Sequence, residues 1–126
     1  MRGRKLTLDR YVALPHALFV PSDDGSARGV VDASLARLGR KRRVACTFAH
    51  IVALPHAVVG TDLIATLARR AALRLAGQAL SLRPLPPEVD PGPFGIDMVS
   101  SRRAPADAAL AWLQGLIERA VKDLTD

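Results

Sequence analysis

Arg43-Val44-Ala45-Cys46-Thr47-Phe48, a segment from about His50 to Val59, and then Asp62-Leu63-Ile64-Ala65-Thr66 follow one another in the chain and together fix its fold class. After Arg43 the first run mixes β-branched and aromatic residues, which reads as a strand. The second is long enough for a short helix and is closed by Gly60, a residue suited to the left-handed turn that ends helices. Pro55 lies inside it, so a kink or an irregular first turn is expected. The third run is again a short apolar strand. Strand, helix and strand in succession point to an α/β domain.

The same alternation continues on either side. His16 to Pro21 is a short apolar strand between prolines, followed by a polar loop, Ser22 to Ser26. A helix is expected from about Arg28 to Leu38, with Val31, Leu35 and Leu38 on one face, a cap near Ser26 and a stop at Gly39. Downstream, Ala68 to Ala76 reads as a helix with an exposed arginine face. Leu80 to Leu85 reads as a strand ended by Pro86 and Pro87, Glu88 to Pro93 as a Pro/Gly-rich linker, and Phe94 to Ser100 as the last strand. Pro105 suits a helix start, where its missing N–H is no loss. Leu113, Leu116, Ile117, Ala120, Val121 and Leu124 then form a continuous apolar stripe. The pattern predicts a sheet with helices on both faces.

The chain is 126 residues long, a length that suits one domain. Aromatics are only 4%, so Leu, Val, Ile and Ala must build the core. Cys46 is the single cysteine, which excludes an internal disulfide and reads as a small core residue in a strand. No segment combines a basic start with an unbroken apolar stretch, and no run approaches a membrane span, so a cytoplasmic protein is expected. The net charge of +6 favours polyanions. Its densest cluster, Arg37, Arg40, Lys41, Arg42 and Arg43, has no interleaved aromatics and reads as a solvated helix-to-strand turn. Val12-Ala13-Leu14-Pro15-His16-Ala17 recurs as Val52-Ala53-Leu54-Pro55-His56-Ala57, but no third copy makes it a repeat.

Enzyme signatures are missing from the sequence. It has no phosphate-binding glycine loop, no zinc-protease histidine pair and no nucleophile elbow. His50 and His56 are six residues apart, a poor spacing for shared metal ligation on one helix face. No metal, cofactor or catalytic residue is therefore assigned. The chemistry-bearing positions are two strand-to-helix junctions, Ser22 to Ser26 and Thr47 to Ile51. In open α/β sheets, ligands bind beyond the carboxyl ends of strands, where helix N-termini favour carboxylates.

Leu14-Pro15-His16-Ala17-Leu18-Phe19-Val20-Pro21-Ser22 resembles the segment that opens the second subdomain of LysR-type effector-binding domains. Gly29-Val30-Val31-Asp32 with Leu35 resembles the helix that follows it. Arg42 to Ala45 with Thr47-Phe48-Ala49-His50 resembles the next strand and helix start. Val58-Val59-Gly60-Thr61-Asp62-Leu63-Ile64-Ala65-Thr66-Leu67 is similar to a branch in which a Thr-Asp pair precedes a hydrophobic strand. Leu85-Pro86, the Phe94 strand, Arg102-Arg103 and a closing helix with Trp112-Leu113 complete the likeness, which spans roughly Leu8 to Val121. Ala68 departs from the pattern, since that branch often has proline there.

The resemblance implies a periplasmic-binding-protein-like (type II) subdomain, a mixed sheet with flanking helices. It implies one partial effector-binding domain over 1–126, with a second subdomain over about 14–100 and a closing helix over 105–124. It also implies a small-molecule effector, a small organic acid or an aromatic, contacted by Ser22, Asp23, Thr47, Phe48 and His50. A homo-oligomer is expected, with DNA reached only through a helix-turn-helix that this sequence does not contain. The alternatives are an interaction protein or remnant that oligomerises with intact regulators, and an uncharacterised α/β enzyme.

Overall fold

The computed structural model describes residues 5–21, 29–93, 95–101 and 107–124. The chain divides into two compact units, Met1–Pro93 and Phe94–Asp126.

In the first unit a short helix, α1 (Leu8–Ala13), leads through Leu14 into strand β1 (Pro15–Phe19). Thr7 opens α1, its hydroxyl accepting the Arg10 N–H at 3.3 Å. Helix α2 (Val30–Arg37) then carries the chain to β2 (Arg43–Phe48). A 3-10 turn over Ile51–Ala53 runs into α3 (Leu54–Val58), followed by β3 (Ile64–Ala65) and α4 (Arg69–Leu75). The sheet order is β2-β1-β3, and both pairings are parallel. A mixed sheet was expected, whereas every pairing among the described residues is parallel, in keeping with the helical crossovers. The β1–β2 register slips between His16 and Ala17, leaving Ala45 as an extra residue on β2.

The decisive stretch folds largely as its pattern dictates. β2 has the expected limits, and the segment before Gly60 starts with an irregular 3-10 turn before Pro55 enters the first turn of α3. Gly39 and Gly60 stand at φ 65° and 72°, where a side chain would be strained, and so end α2 and α3. The Thr61 hydroxyl closes α3 further: it lies 2.9 Å from the Val58 carbonyl and accepts the Leu63 N–H at 3.2 Å. The expected Asp62–Thr66 strand shortens to two residues, since Thr61 and Asp62 belong to that turn.

Other expectations need correction. The Leu80–Leu85 run forms no strand: Leu82 is exposed and nothing pairs with it. The Phe94–Ser100 run is likewise unpaired over its described residues, with Ile96 and Val99 each 89% exposed. Glu88 to Pro93 is more than a linker. Val89 is buried against Tyr11, Val31 and Leu35, with Leu6, Leu8, Val12, Ile64 and Leu85 around them. A turn from the Val89 N–H to the Pro86 carbonyl shapes this segment. It is tied to α2 by Asp90 N–H donating to Ser34 Oγ and by Arg37 donating to the Asp90 carbonyl, each at 3.0 Å. The segment from Leu6 to Leu14, given no element from its sequence, contains the helix α1, which supplies Tyr11 to the core. α2 begins at Val30 with Gly29 as its cap, and Ser26 lies outside the described residues. Cys46 is half-buried on an edge strand rather than part of the core.

The second unit contains an extended segment, 95–101, and a helix, α5 (Ala108–Lys122). Asp107 caps α5 by accepting the Ala109 N–H at 2.9 Å; Pro105, the expected start, lies outside the described residues. Ile96, Met98, Ile117, Glu118, Val121 and Lys122 line an open groove of about 290 Å3. No residue of α5 is buried, and Trp112 is exposed, as are Leu113, Leu116 and Val121 of the stripe read from the sequence.

Candidate functional site

β1 and β2 end side by side. Phe19 pairs with Phe48, and the Val20 N–H donates to the Phe48 carbonyl at 2.9 Å. The chain leaving β1 at Pro21 and the chain leaving β2 at Ala49 therefore depart from one edge of the sheet. Thr47 is exposed there, Phe48 half-buried and His50 exposed. His50 sits in extended backbone at the cap of the 3-10 turn, its carbonyl accepting the Ala53 N–H at 3.1 Å, and its side chain makes no cap bond. The structure thus brings three of the five expected contact residues to one sheet edge. Ser22 and Asp23 lie outside the described residues.

The strand order adds a position that the sequence reading missed. Successive crossovers run from the central β1 outward to β2 and then back past it to β3. The direction of winding therefore reverses at β1, and crevices in open sheets form where neighbouring connections diverge. The carboxyl ends of β1 and β3 meet at that point, so Leu67 joins the candidates. Its neighbour Thr66 is committed elsewhere, its hydroxyl lying 2.7 Å from the Tyr11 hydroxyl.

A polar cluster ties the elements behind this edge together. Arg42 forks onto Asp32, with Nε at 2.8 Å from Oδ1 and Nη2 at 2.7 Å from Oδ2. Burial alone would weaken the charge on Arg42, but the Asp32 carboxylate outweighs it and holds the guanidinium above its usual range. The basic turn is thus not wholly solvated: the Arg42 side chain is 4% exposed, and Arg40 pairs with Asp9. Arg42 also interacts with the Tyr11 phenol, which burial raises above its ordinary value against the pull of Thr66 and Arg42. His16, on β1, is fully buried and donates from Nε2 to the Tyr11 carbonyl at 2.9 Å. The Tyr11 and His16 rings meet edge-on, 4.8 Å apart. No spacing rule joins Tyr11, His16, Asp32, Arg42 and Thr66 in sequence; only the β2-β1-β3 order assembles them. Among the described residues no three histidine, cysteine or carboxylate side chains converge as metal ligands.

A three-stranded parallel sheet wound outward from a central strand, with candidate ligand contacts at its carboxyl edge, is the architecture of a small-molecule-binding α/β subdomain. The LysR substrate binding domain family matches residues 1–122, and the chain belongs to that family. Its fold is accordingly periplasmic-binding-protein-like, type II. Among solved structures it is similar to the regulatory domain of MexT, a transcriptional activator in Pseudomonas aeruginosa, with 43% sequence identity and a TM-score of 0.51. That alignment covers 59% of this chain and 36% of the MexT chain, so this chain spans well under two thirds of the relative's length. No curated protein matches the sequence. No helix among the described residues is long and apolar enough to cross a membrane.

Proposed function

We propose that this chain is the effector-sensing part of a LysR-type transcriptional regulator, acting by binding rather than catalysis in the cytoplasm. Thr47, Phe48 and His50 form one wall of the effector cleft, joined by Ser22 and Asp23. In this reading the second subdomain runs over about 14–100 and the closing helix over 105–124. The observation that carries it is the alignment of the β1 and β2 ends, which sets an exposed hydroxyl, a half-buried ring and an exposed imidazole on one edge of a family-matched sheet. A small organic acid or an aromatic compound suits that set: the imidazole and hydroxyl donate to a carboxylate, and Phe48 offers an apolar face.

The test is amide chemical-shift mapping with benzoate, salicylate and short dicarboxylates. Shifts should concentrate at Thr47 to Ile51 and shrink in Thr47→Ala and His50→Ala. Saturable shifts elsewhere, indifferent to both substitutions, would overturn the site. DNA contact would be sequence-selective only through a helix-turn-helix, so this chain's positive charge should give nonspecific binding that fades as salt rises.

A homo-oligomer is a second part of the reading, favoured by the exposed apolar residues of α5.

A further inference from the structure

We propose that His16 is a proton-sensitive fastener between α1 and the sheet, holding the helix down while its imidazole is neutral and releasing it on protonation. His16 Nε2 lies 2.9 Å from the Tyr11 carbonyl. A carbonyl only accepts, so Nε2 carries the hydrogen and Nδ1 of the neutral ring is a bare lone pair. Nδ1 is buried and has no hydrogen-bond partner among the described residues. A second proton there would create an N–H without an acceptor, on a cation shut away from water.

The groups around the ring sharpen this. From α1 come the Tyr11 ring and carbonyl; from the entrance of β2 comes Arg42; from α2 comes Asp32, already bound at both oxygens by Arg42. β3 is followed by Thr66, which holds the Tyr11 hydroxyl and carries no charge. Burial first, and Arg42 after it, push the imidazole below its ordinary range, while the Tyr11 carbonyl and Asp32 pull the other way.

Tyr11 packs edge-on against the imidazole, so moving it away would give the ring a route to water. Tyr11 belongs to a helix of six residues, which has little stability of its own. Its other ties are the contacts of the Tyr11 hydroxyl with Thr66 and Arg42, the Arg40–Asp9 pair at the surface, and the packing of Tyr11 on Val31, Leu35 and Val89 with Leu8 and Val12 beside it. Opening of α1, which uncovers Tyr11 and the imidazole together, is the local way to accommodate the proton.

Because the folded imidazole titrates below its unfolded value, docking of α1 is at full strength above that unfolded value. It weakens as pH falls from there towards the folded value. The unfolded value of about 6.5 sets the ceiling: at pH 5 the docked helix loses at most about thirtyfold in its equilibrium.

The experiment is hydrogen exchange read by NMR on the full chain carrying His50→Gln and His56→Gln, so that His16 is its single imidazole. Between pH 7.5 and pH 5, after correction for intrinsic exchange, the Tyr11 and Leu14 amides should lose protection several-fold, up to about thirtyfold. The Leu38 and Arg40 amides, which close α2, should hold theirs. Adding His16→Gln, whose carboxamide can still donate to the Tyr11 carbonyl but does not titrate, should abolish the change. Protection of α1 that is flat with pH, that still falls in His16→Gln, or that falls together with α2 overturns the proposal. If His16→Gln does not fold, imidazole 15N shifts of the parent decide. Nδ1 should stay unprotonated until α1 loses protection, and a ring that takes its second proton beneath a fully protected α1 refutes the fastener.

Discussion

Removing Asp32 should harm this protein far more than removing its partner Arg42. The pair is lopsided in exposure: the Arg42 side chain is 4% exposed and that of Asp32 23%. Asp32→Ala strands a guanidinium almost entirely out of water, the situation in which breaking a buried pair costs about 3–5 kcal/mol. Arg42→Met leaves a carboxylate that still reaches solvent and fills the lost volume with a flexible apolar chain. Its cost should be about 1–2 kcal/mol, between the surface and buried limits. The double variant removes both charges and should be more stable than Asp32→Ala alone, because no unpaired ion remains.

Urea unfolding followed by far-ultraviolet circular dichroism measures all three. With a slope of about 1–3 kcal/mol/M, the Asp32→Ala loss moves the midpoint by about 2 M, well beyond error. A domain of this size has only about 5–15 kcal/mol to lose, so Asp32→Ala should be near the edge of folding. If both single variants lose less than about 1 kcal/mol and the double variant is additive, the pair behaves as a surface contact and the reasoning about stranded charge is wrong.

Four further outcomes are expected. Tyr11→Phe removes the 2.7 Å bond to Thr66 and should cost about 1 kcal/mol in the same urea assay. The wild-type chain, whose Tyr11 phenol titrates above its unfolded value, should lose stability as pH climbs past about 10, and Tyr11→Phe should flatten that decline. Gly39→Ala, at φ 65° with open space where the Cβ would stand, should cost about 1–2 kcal/mol from backbone strain alone, seen as a lower thermal midpoint. Leu116→Glu, at an exposed position on α5, should leave the unfolding midpoint nearly unchanged while lowering any self-association in sedimentation velocity. A strongly destabilised Leu116→Glu that sediments like a clean monomeric wild type would place the stripe in the chain's own core instead.

What the sequence revealed, and what it hid, follows from the range of the interactions involved. β2 was legible to the residue because its run of Val44, Thr47 and Phe48 is bounded by a basic turn and a helix start, all local signals. Gly39 and Gly60 were legible as stops because a positive φ is a local demand. Leu80–Leu85 was misread because an apolar run between prolines satisfies the same local criteria as a strand, while pairing depends on a neighbour that the run does not have. Thr47, Phe48 and His50 could be nominated because a strand end is a local feature. Leu67 was missed because the reversal of winding exists only once the order β2-β1-β3 is known. Tyr11 was missed because a lone tyrosine in a short segment carries no periodicity.

The duplicated hexapeptide isolates this limit. Val12-Ala13-Leu14-Pro15-His16-Ala17 ends a helix and enters the central strand, whereas Val52-Ala53-Leu54-Pro55-His56-Ala57 is a 3-10 turn passing into a helix. Both copies begin in helical backbone, but Leu14 to Ala17 are extended where Leu54 to Ala57 are helical, so propensity decides neither. The flanks do. After Ala17 come Leu18, Phe19 and Val20, apolar residues that extend the strand between two parallel neighbours. After Ala57 come Val58, Val59 and Gly60, the last of which turns the chain back. The two histidines diverge with their backbones. His56 is exposed, while His16 is drawn to zero exposure because Pro15, its predecessor, already lies in the strand flanked by β2 and β3. The same side chain is a surface group in one copy and a buried polar atom facing α1 in the other. The chemistry assigned to His16 thus belongs to the topology rather than to the local sequence, and any perturbation that unpairs β1 should erase it without touching a residue of the motif.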